Sequence, residues 1–237
     1  MNWVNEINNG LNTPGIAALL TGLFVFAGSA FYHVIKVVKG QTKDWQTFLA
    51  ALVPMITGTT YLTILLGSGA MQLSDGRIFH IARWIDACFV SPLIILSIVL
   101  LLGPLIRKLT RPVTLLLIAN FLTMFGGLLA GLQTEPVIGW IWYGYGLLAY
   151  LGCVLLLLFT IPKAAEKLSV DPGRLKAYRR FAAIYVLITL AFPVIWLFTP
   201  AALGQLTLNG EVIAFLPFDL ATKVGLMIFV ARKGKRL

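Results

Sequence analysis

Residues 218–225 read FDLATKVG and lie within the apolar stretch FLPFDLATKVGLMIFV. Two charged residues, Asp219 and Lys223, interrupt this stretch. A charged group at bilayer depth costs several kcal/mol, so it needs a partner or a function. Because the two residues are four positions apart, a helix places them on one face. The spacing alone is compatible with a salt bridge within the helix, and equally with a neutral amine that forms a Schiff base with an aldehyde beside a carboxylate.

The composition of the whole chain indicates an integral membrane protein. Of its 237 residues, 59% are hydrophobic and 12% are charged, and the mean hydropathy is +0.89. Soluble domains carry about 25% charged residues. Seven stretches reach the roughly 20 residues that a membrane-spanning helix needs. We therefore predict a single all-α domain over residues 1–237, a seven-transmembrane-helix bundle with spans at 14–37, 46–70, 80–103, 112–132, 138–162, 176–199 and 209–231.

The basic residues are distributed unevenly between the two ends of the predicted spans. Sixteen of the 19 lysines and arginines follow the first, third, fifth or seventh span, among them Lys43, whereas the opposite connections contain Arg77 alone. The positive-inside rule then places the N-terminus outside and the C-terminus in the cytoplasm of a cell inner (plasma) membrane. The net charge of +10 is thus a topology signal, and we expect the lipid bilayer and no nucleic acid as a partner. The first ten residues, MNWVNEINNG, lack a basic segment, so we expect no cleavable signal peptide.

A second pair of charges lies within the third predicted span. Arg83 and Asp86 are three residues apart, again on one helix face. If the third and seventh spans face each other, Asp86 and Asp219 both approach Lys223, with Arg83 one turn toward the outside. The four charges then sum to zero, which is the arrangement that buried charges require.

The remaining titratable residues do not form a metal-site pattern. Cys88 and Cys153 fall in separate spans with no nearby histidine, and His33 and His80 lie in different spans near opposite ends. We expect no metal site.

Four motifs, in order along essentially the full length, resemble those of the microbial (type I) rhodopsins. DLATKVG at 219–225 is similar to the bacteriorhodopsin and proteorhodopsin signature D-x-x-x-K, and RWIDACFVSP at 83–92 to R-Y-x-D-W-x-x-T-T-P. FPVIWL at 192–197 is similar to Y-P-V-V-W-L, and LVPMITGTTYLTILLGSG at 52–69 to L-V-P-x-x-x-x-x-x-Y-L-x-x-L-L-G. Each motif lies in the span where that family carries it.

The resemblance implies a role for each matching charged residue. Lys223 would bind all-trans retinal as a protonated Schiff base, Asp86 would be its primary counterion and first proton acceptor, and Asp219 its second counterion. Arg83 would gate the outer side. Glu211 matches one carboxylate of the family's proton-release group, whose partner position is occupied here by Ala201.

The resemblance also implies the uncharged residues around the cofactor. Tyr61 would donate a hydrogen bond near Asp219. The other residues expected to form the retinal pocket are Ser91, Asn120, Thr123, Gly127, Thr189, Phe192, Pro193 and Trp196.

Several positions depart from the family pattern. Ala87 and Thr189 stand where the family has the two tryptophans that sandwich the polyene. Their loss leaves space for water or for another aromatic residue, and the candidates from the fifth span are Trp142, Tyr143, Tyr145 and Tyr150.

The pump motif also departs from the pattern. Val90 replaces a threonine that bonds the counterion, and Ser97 replaces the cytoplasmic carboxylate that returns a proton. The motif therefore reads Asp–Val–Ser.

The expected function is a light-driven outward proton pump with a slow photocycle that slows further as the pH rises. Asp86 is retained where chloride-pumping relatives have a neutral residue, and the Asn and Gln of the sodium-pump pattern are absent from the third span. A sensory (photoreceptor) rhodopsin and an inward proton pump stay open as alternatives, as does a seven-helix transporter without retinal. The resemblance implies ion transport or signalling without enzymatic activity, and a homo-oligomer, either a trimer or a pentamer.

Overall fold

The computed structural model describes residues 11–41 and 44–237. Lys43 and the first ten residues, on which the signal-peptide expectation rests, lie outside the described residues. The described chain forms ten α-helices: α1 (Thr13–Val38), α2 (Trp45–Leu65), α3 (Ile81–Val99), α4 (Thr110–Leu132), α5 (Pro136–Leu155), α6 (Ile161–Lys167), α7 (Pro172–Thr189), α8 (Ala191–Phe198), α9 (Leu208–Leu220) and α10 (Met227–Gly234). Several of them continue one another through short irregular turns.

Polar side chains define where four of the helices begin. Asn12 accepts a hydrogen bond from the Gly15 amide at the start of α1, and Asp44 accepts one from Thr47 at the start of α2. Asp171 and Thr207 do the same for α7 and α9. Such N-caps satisfy amide groups that have no partner within the helix.

Within the described residues, six helical stretches are long and apolar enough to cross a membrane. One of them, Ile81–Leu132, has 52 residues. At about 1.5 Å per residue it would extend about 78 Å, more than twice the ~30 Å hydrocarbon core of a bilayer. A 3₁₀ segment, Leu100–Leu109, separates α3 from α4, and within it Gly103 has φ 75° and ψ −155°. This left-handed backbone, which glycine adopts without a steric penalty, interrupts the helix.

The helix ends differ from the predicted spans mainly in the second, fifth and sixth. Helix α2 ends at Leu65 instead of residue 70, because the chain turns at Gly67, which has φ 78°. The helical stretch that begins with α5 continues to Lys167 instead of residue 162. Helix α7 begins at Pro172 instead of residue 176, where Asp171 provides a cap and proline is tolerated in the first turn.

A two-stranded hairpin between α2 and α3 was not expected from an all-α prediction. Strand β1 (Met71–Gln72) pairs antiparallel with β2 (Ile78–Phe79). Asp75 accepts hydrogen bonds from the backbone and side chain of Arg77, and the Arg77 guanidinium holds the pKa of this carboxyl below its usual value. The residues between the strands are too few and too polar to give a hydropathy signal.

Two apolar clusters lie on either side of the charged residues. Along α3, Asp86 precedes Val90 and Ile94 of the larger cluster. Along α9, Val212 of the smaller cluster precedes Asp219. The charges thus lie at mid-depth, while large exposed side chains such as Phe24 and Leu187 face outward, as expected for helices surrounded by lipid.

Candidate functional site

Lys223 lies in a π-helical turn, Ala221–Leu226, that joins α9 to α10. Pro217, inside α9, has no amide hydrogen to donate to the preceding turn, so the helix already lacks one backbone hydrogen bond just before the π turn. Single π-helical turns within α-helices occur often at functional sites. The turn keeps Lys223 on the same face as Asp219, with Lys223 Nζ 2.9 Å from Asp219 Oδ1.

A carboxylate from α3 completes the pair. Lys223 Nζ donates a hydrogen bond to Asp86 Oδ2 at 2.5 Å. Lys223, Asp86 and Asp219 are 6%, 3% and 2% exposed, so this contact is almost closed to solvent. In the structure Asp86 and Asp219 thus both contact Lys223, the arrangement considered above for a third and a seventh span that face each other.

The two carboxylates differ in their other partners. Asp219 Oδ2 accepts hydrogen bonds from Tyr61 OH at 2.8 Å and from Arg83 Nη1 at 3.4 Å. Asp86 accepts from Thr57 Oγ1, at 3.1 Å to Oδ1. Asp219 is thus stabilised as an anion by a second cation and a phenol, whereas Asp86 has one hydroxyl besides the lysine.

Thr57 is a site residue that the sequence analysis missed. Val90 removes the hydroxyl that the family pattern places on α3, and Thr57 supplies one from α2 instead. One local signal was present, since Thr57 precedes Tyr61 by four residues and shares its helix face.

Arg83 lies on the side of the site toward the N-terminal end of α3. Its guanidinium carbon is 5.1 Å from the centre of the Phe215 ring and 5.7 Å from that of Tyr61. Glu211, two turns before Asp219 on α9, is buried and close enough to attract Arg83 electrostatically. These groups lead from the lysine toward the hairpin end of the bundle.

Two adjoining cavities extend from Lys223 between the helices. The first is lined by Lys223, Ala87 and Ser91, among others, and the second by Thr123, Gly127, Pro193 and Trp196. Four residues line both cavities, which therefore adjoin: Trp84, Met124, Thr189 and Phe192. Both cavities are largely apolar, and the first begins at the amine of Lys223.

Trp84 is an aromatic residue of this wall that was not expected from the sequence. A Cβ built at Gly127 would lie 2.4 Å from the Trp84 ring, so the glycine makes room for the indole. Tyr143 stacks on Trp196, with ring centres 4.4 Å apart, and donates to the Pro193 carbonyl. Of the four α5 candidates, Tyr143 and Tyr150 line the second cavity.

The other two α5 candidates, Trp142 and Tyr145, lie elsewhere. They pack edge to face against each other, with ring centres 5.7 Å apart, and neither lines the two cavities.

Asn120 lies behind the cavity wall instead of on it. Its Nδ2 donates to Tyr185 OH at 3.3 Å, and Tyr185 OH and Ser91 Oγ share a hydrogen bond of 2.6 Å. Tyr185 is fully buried and lines the first cavity. This contact joins α3, α4 and α7, and the sequence contained no pairing signal for it.

The half of the bundle beyond Ser91 is packed mainly with apolar side chains. Ser97 is completely buried among aliphatic side chains of the larger apolar cluster. The described carboxylates at that end are engaged elsewhere: Asp44 and Asp171 cap helices, and Glu166 pairs with Arg179. Among the described residues, no carboxylate lies in that cluster, and no group of three His, Cys, Asp or Glu could hold a metal ion.

Comparison with known proteins agrees with this geometry. A family model described as bacteriorhodopsin-like protein matches residues 12–235. Bacteriorhodopsin of Halobacterium salinarum is 27% identical over 220 residues, which cover 90% of this chain and 81% of that protein. Sensory rhodopsin-2 of Haloarcula vallismortis is 27% identical over 213 residues, 90% of this chain and 85% of that protein.

Solved structures show the same fold. The thermophilic rhodopsin from Rubrobacter xylanophilus superposes with a TM-score of 0.84 at 23% identity, covering 93% of this chain and 96% of that one. The light-driven proton pump from Coccomyxa subellipsoidea superposes with a TM-score of 0.83 at 20% identity, covering 94% and 97%.

Proposed function

The chain belongs to the bacteriorhodopsin-like family, and from this premise we propose that it is a retinal-binding, light-driven outward proton pump. Its relatives include proteins named as pumps and as sensory rhodopsins, so the choice between these activities rests on the site. The observation that carries the proposal is the unequal support of the two carboxylates at Lys223.

The cavity fits an elongated polyene joined to the lysine. Lys223 would hold all-trans retinal through an imine at Nζ, and Phe192, Trp196 and Trp84 would line its path. Retinal would supply absorption of visible light and a photoisomerisation that moves the proton on Nζ relative to the two carboxylates. The apolar wall would exclude water from this proton.

Asp86 would be the first group to accept that proton. In the resting arrangement both carboxylates lie beside Nζ, Asp86 at 2.5 Å and Asp219 at 2.9 Å, and both would be anions next to a cationic nitrogen. Arg83 and Tyr61 stabilise the anion of Asp219, whereas Asp86 has Thr57 alone besides the lysine. Because a hydrogen bond to a charged group is worth about 1.5–3 kcal/mol, Asp86 is the carboxylate that is easier to neutralise.

The proton would leave on the side of Arg83 and Glu211. Neutralising Asp86 weakens the electrostatic hold on Arg83, whose guanidinium would then be freer to move toward Glu211. Among the described residues, the opposite half offers no carboxylate near Ser97, so return of a proton to Nζ would depend on water and would be slow. This asymmetry favours outward transport.

The placement in the membrane is part of the proposal. The break at Gly103 would make Ile81–Leu132 cross twice, which gives seven crossings in a single domain over residues 1–237. The basic clusters would place the N-terminus outside and the C-terminus in the cytoplasm of the inner (plasma) membrane. A homo-oligomer, a trimer or a pentamer, is the expected assembly.

A light-driven pH measurement tests the function. Cells that express the chain with all-trans retinal should develop a visible absorption band and acidify an unbuffered medium on illumination, and a protonophore should abolish the change. Alkalinisation that a protonophore abolishes would indicate an inward pump. A visible band without any light-driven pH change would contradict pumping.

A sensory role is the second candidate. The chain is as similar in sequence to sensory rhodopsin-2 as to bacteriorhodopsin, at 27% identity to each. Serine in place of the cytoplasmic proton-donor carboxylate at position 97 is also compatible with a long-lived signalling state. The pH measurement above separates the two.

A further inference from the structure

A long groove runs between α7 and α10 on the outside of the bundle. Its volume is about 630 Å³. Its walls are apolar and come from Phe181, Ile184 and Ile188 of α7 and from Phe229 of α10. The groove ends inward at the π turn that carries Lys223, but that side chain points to the opposite side, into the first cavity.

Four cations surround one end of this groove, here called the α7–α10 groove. Three are exposed and one is half-buried, and they are Arg180, Arg232, Arg236 and Lys233. No carboxylate lines the groove, and among the described residues none of the four cations forms an ion pair. The described acids at this end of the bundle are engaged as helix caps or with Arg179.

We propose that the α7–α10 groove binds one anionic phospholipid. The phosphate would lie among the four cations, and an acyl chain would lie along Phe181, Ile184 and Phe229. Basic pockets between membrane helices attract anionic headgroups, and each lysine or arginine near the surface contributes about 1 kcal/mol. The apolar walls at membrane depth select a lipid over a free anion, because a water-soluble phosphate leaves them without a partner.

Other basic residues at the same end of the bundle do not lie beside an apolar groove. Lys39, Arg107, Lys108 and Arg111 are exposed and do not line the groove. They provide a control set with the same number of charges at the same membrane surface. The proposal does not depend on retinal or on pumping, so its outcome is separable from that of the proposed function.

Native mass spectrometry of the purified chain in detergent tests the proposal. Titration with dioleoyl phosphatidylglycerol should show one lipid bound more tightly than dioleoyl phosphatidylcholine. The single variant R180Q should weaken phosphatidylglycerol binding about fivefold, the equivalent of about 1 kcal/mol. The combined variant R180Q/R232Q/K233Q/R236Q should remove the preference for phosphatidylglycerol. The control K39Q/R107Q/K108Q/R111Q should keep it.

A second variant tests the apolar wall without changing charge. Ile188→Trp narrows the groove, and it should weaken binding of the long-chain lipid while leaving that of short-chain dihexanoyl phosphatidylglycerol unchanged. Far-UV circular dichroism verifies that each variant is folded. Equal losses of phosphatidylglycerol binding in both quadruple variants would overturn the proposal. Equal affinity for phosphatidylglycerol and phosphatidylcholine would do the same, as would displacement of the bound lipid by equimolar inorganic phosphate.

Discussion

Thr57 Oγ1 donates a hydrogen bond to Asp86 Oδ1 at 3.1 Å and thereby joins α2 to the carboxylate nearest to Lys223. The hydroxyl stabilises the charged form of Asp86 in a site that is closed to solvent. It takes the place that Val90 leaves empty on α3, and its removal should therefore change how easily Asp86 becomes neutral.

The first prediction concerns that hydroxyl. Thr57→Val removes a hydrogen bond to a charged group, worth about 1.5–3 kcal/mol. The acid-induced colour change of the retinal-loaded protein should move to higher pH by about one to two units, since one unit corresponds to 1.36 kcal/mol. Absorption spectra across a pH titration measure this. Thr57→Ser keeps the hydroxyl and should titrate like the wild type; an unshifted Thr57→Val curve would contradict the assignment.

The second prediction concerns attachment of the chromophore. Lys223→Ala should yield no visible band when all-trans retinal is added, because no amine remains at the start of the cavity. Lys233→Ala, a substitution ten residues later on α10, should form the band normally. Hydroxylamine under illumination should bleach the wild type. A stable band in Lys223→Ala would refute covalent attachment at this position.

The third prediction concerns the missing proton donor. Decay of the wild-type photocycle should slow about tenfold per pH unit as the pH rises, because the proton must come from hydronium ions, whose concentration falls tenfold per unit. Ser97→Glu places a carboxylate among the apolar side chains beyond Ser91 and should shorten the decay at least about tenfold at pH 8. Flash photolysis measures both. Ser97→Ala should have the same photocycle decay as the wild type. A fast, pH-independent decay in the wild type would mean that another group donates the proton.

The fourth prediction concerns Gly127 and Trp84. An added Cβ at Gly127 meets the Trp84 ring at 2.4 Å, whereas at Gly144 of α5 it meets nothing within 4 Å. Gly127→Ala should shift the visible band and slow uptake of retinal, because the indole is pushed into the cavity. Gly144→Ala should leave both unchanged. Reconstitution followed by absorption measures both quantities, and identical behaviour of the two variants would exclude close packing at Gly127.

The fifth prediction concerns the contact between Tyr185 and its two partners. Tyr185→Phe leaves Ser91 and Asn120 without a shared phenol and should destabilise the protein by about 1–3 kcal/mol. Thermal bleaching of the visible band should occur at a lower temperature. Once Asn120→Leu has removed one partner, Tyr185→Phe should cost less, so the double-mutant cycle should reveal coupling. Additive effects would show that the hydrogen bond contributes nothing.

The sequence by itself determined the helical bundle and the residues of its charged centre. Hydropathy and the i, i+4 and i, i+3 spacings are local properties, so they identify Asp219 with Lys223 and Arg83 with Asp86 before any packing is known. The ordered motifs identify the family for the same reason, because each lies within a single predicted span. The tertiary structure brings the two pairs together around Lys223.

Only the tertiary structure decided several contacts of uncharged residues in and around the centre. Thr57 reaches Asp86 from another helix, Tyr185 separates Asn120 from the cavity, and Trp84 turns toward Gly127. The partners in each of these contacts are 29 or more residues apart in the chain. Such contacts depend on the rotation and separation of packed helices, which no periodicity within one helix encodes.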